Sequence, residues 1–377
     1  MEFMGEFMGR KRVVVAMSGG VDSSTSAALL KEQGFEVIGL SMQLWDYSKG
    51  EEKGEGAAGS CCSLEDIYDA RRVCDTLAIP FYVVNMEGVF SREVIDYFVK
   101  GYLSGSTPNP CIKCNEVMKF TVLLKRAMEL EADFLATGHY ARIRIDKDGG
   151  YRLLKGVDGG KDQSYFLFTM RQGQIKKVLF PLGELDKGRV RELAKKFGLR
   201  VSAKKESQEI CFVQNGRYAD FVSVEAGSST SGEIVDGEGN IIGTHRGLFR
   251  YTIGQRKGLD IKRGDGPFYV TGMDVKRNRL IAGRDKELYS SGLFARDINW
   301  INSPPSKGER IIAKIRYRHI GADSFILPEK DGISVIFSTP QKSVTPGQAV
   351  VFYRGEEVLG GGWIERALEE PSEKVSV

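Results

Sequence analysis

Three histidines in 377 residues leave little room for imidazole chemistry. His139, His245 and His319 stand far apart, and none pairs with another at metal-ligand spacing, so a histidine zinc site has no support. No stretch approaches the ~18 consecutive apolar residues of a membrane span, and the amino end lacks the apolar core of a secretory signal. A cytoplasmic protein without a membrane is expected. The formal net charge is only +4, too small to mark the whole chain as a binder of polyanions. Local clusters must carry that argument. Six cysteines are too few to staple a chain of this length and point instead to reactive or metal-binding thiols. No repeat at solenoid spacing is visible. The first eight residues, with "EFMG" repeated, read as an expression scar or a mis-set start.

What is present begins with "VVVAMSGGVDSS", residues 13–24. Val13 to Ala16 read as a strand buried on both faces, and Ala27, Leu29 and Leu30 as the apolar side of the following helix. Gly19 and Gly20 let the backbone turn sharply, with the N–H groups of the helix start aimed at whatever lies beyond. Such a turn suits a phosphate. Two familiar nucleotide motifs are missing, however. Val21 and Asp22 stand where the common phosphate loop needs lysine and a hydroxyl, and the three-glycine dinucleotide fingerprint is absent, which removes the main support for hydride chemistry. A plain Gly-Gly turn with Asp22 as the helix cap is the alternative reading.

Residues 12–137 alternate apolar strands (Val13 to Met17, Val37 to Met42, Phe81 to Asn85, Phe134 to Thr137) with amphipathic helices (near Asp22 to Gln33, Leu64 to Leu77, Glu87 to Leu103 and Asn115 to Leu130). The alternation predicts an α/β domain with a doubly wound parallel sheet. Ligands of such sheets bind at the carboxyl ends of the strands, where the Ser18 loop, Met42 and "TGHYAR" would converge. The polar, glycine-rich stretch 46–60 reads as an excursion above that crevice, Ala141 to Ile145 and Tyr151 to Lys155 as a hairpin, and Asp186 and Gly198 as the cap and stop of a helix. A linker is expected over residues 225–233. Beyond it the period becomes two, between glycine-rich turns, which predicts a small β-rich module and then a β-barrel. The expected domains are 10–215, 216–285 and 286–366.

"STPNPCIKCNEVMKF" holds the densest chemical cues. Two prolines around Asn109 predict a rigid extended loop, with Cys114 just before the helix from Asn115. There, the helix end and Lys113 would favour thiolate. Cys211, in "SQEICFVQNG", follows a basic run. Cys61, Cys62 and Cys74 lack partner motifs and read as structural or incidental.

The glycine loop Ser18-Gly19-Gly20-Val21-Asp22-Ser23 resembles that of ATP pyrophosphatases. With "TGHYAR", "TPNP" followed by "CN" and "KF", "KDQSYFL", "SQEICF" and "YTIGQRKGL" in order, the chain from Arg12 to Trp363 is similar to the tRNA-specific 2-thiouridylases, which place sulfur on the wobble uridine. The resemblance implies a pyrophosphate-loop fold and ATP-dependent thiolation through an adenylated uridine and a cysteine persulfide. It implies ATP and Mg²⁺ bound by Ala16, Met17, Ser18, Gly19, Gly20, Val21, Asp22 and Ser23, helped by Met42 and Gly138. Cys114 matches the nucleophile and Cys211 the persulfide carrier, paired in a disulfide during turnover. Asn109, Pro110 and Cys111 match the segment facing the target base, and His139, Lys161, Asp162, Gln163, Arg316, Tyr317 and Gln348 match tRNA contacts. The implied partners of this monomer are tRNA and a sulfur-relay protein or cysteine desulfurase. One departure stands out: Cys111 replaces the family's usual aspartate. Cys111, Cys114 and Cys211 could therefore hold an iron–sulfur cluster, or Cys111 could be a spare thiol beside a metal-free route. A small-metabolite ligase of the same loop class, and a non-catalytic RNA-binding protein, are the rival functions.

Overall fold

A computed structural model of the chain describes residues 11–45, 64–204, 210–213, 218–226, 230–261, 266–306 and 308–368. The expected excursion at 46–60, Cys61 and Cys62 lie outside them, as do Ser207, Gln208 and Glu209 of "SQEICF". The chain forms two compact units, one of residues 1–94, 111–216 and 356–358, the other of 95–110, 217–355 and 359–377.

The first unit holds β1 (Arg12–Ala16), α1 (Val21–Glu32), β2 (Glu36–Gln43), α2 (Leu64–Thr76), β3 (Phe81–Asn85) and α3 (Glu87–Phe90). A π-helical stretch (Ser91–Ile95) runs on into α4 (Asp96–Leu103), which is grouped with the second unit. Then come α5 (Pro110–Lys113), a second π-helix (Cys114–Leu123), α6 (Leu124–Glu129), β4 (Phe134–Ala136), the hairpin β5 (Ala141–Ile145) and β6 (Tyr151–Lys155), α7 (Gln172–Ile175), β7 (Val178–Leu179) and α8 (Lys187–Lys196). The sheet order is β3-β2-β1-β4-β7, every pair parallel. The continuous valines explain the central strand: Val13, Val14 and Val15 are fully buried, because helices cover both faces. Their core includes Ala27, Leu30, Cys74, Tyr140 and Val190. Cys74 is structural: burial pushes its thiol up to about 12, and a Cβ on Gly39 would lie 2.5 Å from its sulfur. Asp186 caps α8 by accepting from Arg189 N at 2.8 Å, and Gly198 ends it at φ +70°, as the spacing predicts.

One boundary differs from the sequence expectation. The helix bearing Cys114 starts at Pro110, not Asn115, because proline, with φ already helical and no N–H to satisfy, suits the first helical position as well as it suits a loop. Cys114 therefore lies a full turn in. Cys111 occupies the first turn.

The second unit adds a helix that hydrophobic periodicity did not reveal, α9 (Tyr218–Ala226), followed by β8 (Gly232–Val235), β9 (Ile241–His245), β10 (Tyr269–Asp274) and β11 (Arg279–Gly283), in the order β10-β11-β8-β9. Ile234, Val270, Leu280 and Ala282 form its core. Six further strands, β12 (Tyr289–Trp300), β13 (Ile311–Lys314), β14 (Ala322–Glu329), β15 (Gly332–Lys342), β16 (Ala349–Arg354) and β17 (Glu357–Leu368), close into a barrel through the β12–β17 pairing. Closure removes the exposed edges that an open antiparallel sheet would carry. Leu293, Ala313, Val335, Val350 and Phe352 fill it.

Candidate functional site

The loop after β1 is fastened to its neighbours before it turns. Met17 N donates to Leu40 O at 2.8 Å, and Ser41 Oγ donates to Met17 O at 2.6 Å. Gly19 then takes φ +67°, which an L side chain rarely adopts. Space forbids one as well: a Cβ there would sit 2.1 Å from the backbone oxygen of Asp66 in α2. Gly20 is the N-cap of α1 and supplies no side-chain cap. The first-turn amides of α1 are thus left for an outside acceptor, which is what an anion needs. Ser23 is turned inward, its Oγ 3.2 Å from both Ser18 N and Ser18 Oγ.

Asp22 does not cap the helix, whose N-cap is Gly20, so the capping part of the alternative reading fails. Its Oδ1 accepts from Tyr140 OH at 2.9 Å, and Lys187 Nζ bridges Oδ1 and Oδ2 at 2.7 and 2.8 Å. A second lysine serves the other side of the loop: Lys204 Nζ lies 2.6 Å from Asp66 Oδ1 and from Asp69 Oδ2, and 3.2 Å from Gly19 O. Burial works to lower the Lys204 pKa, but the two carboxylates outweigh it and raise it. Among the described residues, each carboxylate at the loop is therefore already matched by an ammonium. A divalent cation here would have to arrive on the phosphates themselves, as Mg²⁺ usually does.

Gly138 presses on the same turn, since a Cβ there would come within 2.8 Å of Asp22 C and Ser23 N. Its neighbour His139 is buried beside Phe120 and Phe180, with ring centroids 5.9 Å away in both cases. Burial, helped by the charge of Lys119, holds its pKa well below the ordinary histidine value, so the ring is neutral. Lys119 Nζ lies 3.5 Å from Nε2, and Thr137 Oγ1 lies 2.7 Å from Nδ1. With the ammonium as donor, the ring proton belongs on Nδ1 and goes to Thr137. His139 thus offers no charge to a phosphate.

Cys114 opens the π-helix, half-buried, while Cys111 is exposed. Both sequence arguments for its thiolate weaken. The helix end is a turn away, and Lys113 is taken by Glu116 at 3.0 Å. Beside it Asn115 is buried, with Nδ2 donating to Phe166 O at 3.3 Å and Oδ1 without a hydrogen-bond partner among the described residues. Cys211 is half-buried. The next residue, Phe212, packs edge-on against Phe90 of α3 at 5.7 Å, and α3 packs against the π-helix that begins at Cys114. Both thiols therefore belong to the first unit, on segments that each pack against α3. Among the described residues no three His, Cys, Asp or Glu side chains gather as a metal site. Cys111, Cys114 and Cys211 are all described, so their geometry gives the iron–sulfur alternative no support.

The expected tRNA contacts are differently placed. Asp162 is buried and spends its carboxylate on Gly156 N, Ser164 N and Ser164 Oγ, each at 3.1 Å. Gln163 accepts from Tyr140 N at 3.1 Å and so steadies the tyrosine that holds Asp22. Lys161 is half-buried on the same turn. In the second unit, Gln348 Nε2 donates to Thr107 O at 2.9 Å, fixing the loop ahead of Asn109 and Pro110. Arg316 is exposed, donating to Lys342 O at 3.1 Å, and Tyr317 is half-buried. Met42 pairs with Val84 at the carboxyl end of β2. The sequence reading passed over Tyr140, Lys187, Lys204 and Lys119. Tyr140 and Lys119 stand in "TGHYAR" and "KF", but a motif does not say what each side chain touches, and only the place of Lys187 after the Asp186 cap hinted at its role.

Residues 11–215 match a family described as tRNA methyl transferase HUP domain, residues 219–284 the tRNA methyl transferase PRC-barrel domain, and residues 290–364 the aminomethyltransferase beta-barrel domain. A tRNA-specific 2-thiouridylase of Geotalea uraniireducens is 57% identical over 362 residues, covering 95% of this chain and 96% of that protein. One of Geobacter metallireducens is 54% identical over 363 residues, covering 96% and 98%. A solved structure described as a 4-thiouridine synthetase–RNA complex with bound ATP aligns at TM-score 0.37 and 16% identity, covering 58% of this chain and 50% of that one. No described helix is long and apolar enough to cross a membrane.

Proposed function

The chain belongs to the tRNA-specific 2-thiouridylase family, and we propose that it thiolates tRNA uridine by adenylating O2 and then replacing it with sulfur carried by Cys211. It is a tRNA-uridine 2-sulfurtransferase that uses ATP. The observation that carries the finer reading is the joining of the uncapped α1 start, through Gly138, to the helix of Cys114. An anion site and a nucleophile site share one unit.

The C2 carbonyl of uracil is a poor electrophile, because oxide is a very poor leaving group. Attack of O2 on the α-phosphorus forms an O–P bond as the bond to pyrophosphate breaks, and the first-turn amides of α1 hold the departing charge. Mg²⁺ travelling with ATP supplies further charge neutralisation when bound. The terminal sulfur of a Cys211 persulfide adds to C2, and the C2–O2 electron pair leaves with AMP. Cys114 thiolate then attacks Cys211 Sγ, forming the Cys114–Cys211 disulfide and releasing 2-thiouridine. A thiol reductant returns two electrons to reset the pair. Asn109, Pro110 and Cys111 are assigned to the flipped base, whose extraction costs a few kcal/mol, with Cys111 as a spare thiol on a metal-free route. The sulfur donor is a persulfide-bearing relay protein or desulfurase.

Reconstitution tests this. Unmodified tRNA, ATP, Mg²⁺ and a persulfide donor should give 2-thiouridine together with equimolar AMP and pyrophosphate. Pyrophosphate exchange with a small acid, without tRNA, would favour the ligase reading instead, and no ATP turnover the RNA-binding one.

Phosphate contacts are assigned to exposed cations such as Arg316 and Arg318 on the barrel, with Tyr317 beside them. Between roughly 50 and 200 mM salt, tRNA affinity should fall by about tenfold or more, since each neutralised phosphate releases counterions. A flat response in a filter-binding titration would remove the phosphate contacts from the assignment.

A further inference from the structure

Three half-buried lysines are paired with carboxylates: Lys187 with Asp22 and Lys204 with Asp66 and Asp69 at the phosphate loop, and Lys113 with Glu116 beside Cys114. Lys119 differs. Among the described residues its ammonium meets only the neutral His139 ring, 3.5 Å away, at the long limit of a hydrogen bond. A half-buried cation without a counter-ion gives up hydration for little return. An arriving anion would supply that return.

Its position indicates which anion. In a π-helix the hydrogen bonds run five residues back, so residue i+5 lies one turn above residue i. Thr121 Oγ1 reaching Glu116 O at 2.8 Å shows that spacing directly. Lys119 is five residues after Cys114, which puts it one turn along the helix from the nucleophile. In an α-helix the same two residues would diverge around the axis. On its other side Lys119 touches His139, whose neighbour Gly138 abuts the backbone of Asp22 and Ser23. The ammonium is thus tied to the phosphate loop and to the thiol helix together.

We propose that Lys119 is a further catalytic residue that binds the α-phosphoryl group, first as the diester of adenylated uridine and then as departing AMP. This rests on the adenylation chemistry above. When sulfur adds at C2 and the C2–O2 bond breaks, the phosphate changes from a diester with one negative charge to a monoester whose second pKa is about 6. It therefore gains negative charge as it leaves. Sulfur and leaving oxygen share one carbon, so a cation serving the leaving group has to lie close to the thiols. Lys119 meets that requirement, whereas Lys187 and Lys204 are held on carboxylates at the loop.

The test compares wild type, Lys119→Met and Lys119→Arg, with calorimetric titration of AMP and of uncharged adenosine. Lys119→Met should weaken AMP by about tenfold or more, leave adenosine unchanged, and slow tRNA-dependent AMP formation by roughly 10²–10³-fold, the usual loss of one transition-state charge contact. Lys119→Arg should keep AMP within about threefold, because it preserves the charge. Matching thermal midpoints for the Met and Arg variants would show that the fold survives. Wild-type AMP affinity in Lys119→Met overturns the proposal. So does unchanged AMP affinity with the pH profile of Cys114 alkylation moved upward, which would assign the ammonium to the thiolate. If the wild type binds AMP but releases no pyrophosphate with tRNA, the adenylation reading falls, and the AMP titrations still decide Lys119.

Discussion

Cys211→Ser is expected to form no 2-thiouridine above a protein-free control, a loss on the order of 10³-fold or more, with tRNA-dependent pyrophosphate release kept within about threefold. Serine cannot carry a sulfane sulfur, yet the loop that binds phosphate is built from other residues: Gly19, Gly20 and the first turn of α1. Cys114→Ser should fail differently. Sulfur can still reach C2 from Cys211, but nothing then cleaves the S–S bond, so tRNA should accumulate attached to Cys211 and be released as thiolated tRNA by a thiol reductant. Denaturing gels with and without reductant, followed by nucleoside analysis, separate the two variants. If the covalent complex appears in Cys211→Ser and not in Cys114→Ser, the roles are reversed. If both variants thiolate at the wild-type rate, the cysteine chemistry is wrong. Phe212 packs on Phe90 of α3, and α3 packs on the Cys114 helix, so both thiols sit on segments that share α3 as a neighbour.

Much of the first unit was legible because its signals are local. Four valine- and leucine-rich runs between amphipathic segments gave the parallel sheet, and a glycine pair after the first run gave the anion turn, each within a dozen residues. The start of the Cys114 helix was not legible, because Pro110 is equally at home in a loop and at a first helical position. The lysine–carboxylate pairs failed for another reason. Lys187 is 165 residues from Asp22 and Lys204 is 138 from Asp66, and a single sequence carries no record of who pairs with whom across such distances. Gln348 is the clearest case. Its "TPGQ" setting resembles an RNA contact, while its amide bonds Thr107, 241 positions away. The grouping of residues 95–110 with the carboxyl-terminal unit is likewise a tertiary fact with no local signal.

The two glycines of the loop should respond differently to the same added methyl. Gly19→Ala must place a Cβ 2.1 Å from Asp66 O, a backbone atom held in place because the Asp66 carboxylate is gripped by Lys204, and must keep φ +67°. The left-handed conformation alone costs about 1–2 kcal/mol for a residue with a Cβ, and the overlap adds to it, so the loop has to unlatch from α2. ATP affinity should drop by about 100-fold or more, equivalent to at least roughly 2.7 kcal/mol, and the thermal midpoint of the ATP-free protein should fall too. Gly20→Ala meets nothing closer than Ser18 Oγ at 3.6 Å and needs only the extended backbone that Gly20 already has, φ −92° and ψ 166°. Its unliganded midpoint should fall by only about 2–4 °C, since alanine in place of glycine at an N-cap costs on the order of 1 kcal/mol and nothing else clashes. Any loss of ATP affinity in that variant then reports crowding of the bound phosphates, not damage to the loop. Calorimetric unfolding without nucleotide, followed by ATP titration, distinguishes the two. Equal, wild-type midpoints for both variants would mean that Asp66 yields readily and that α2 does not clamp the turn on which the anion site depends.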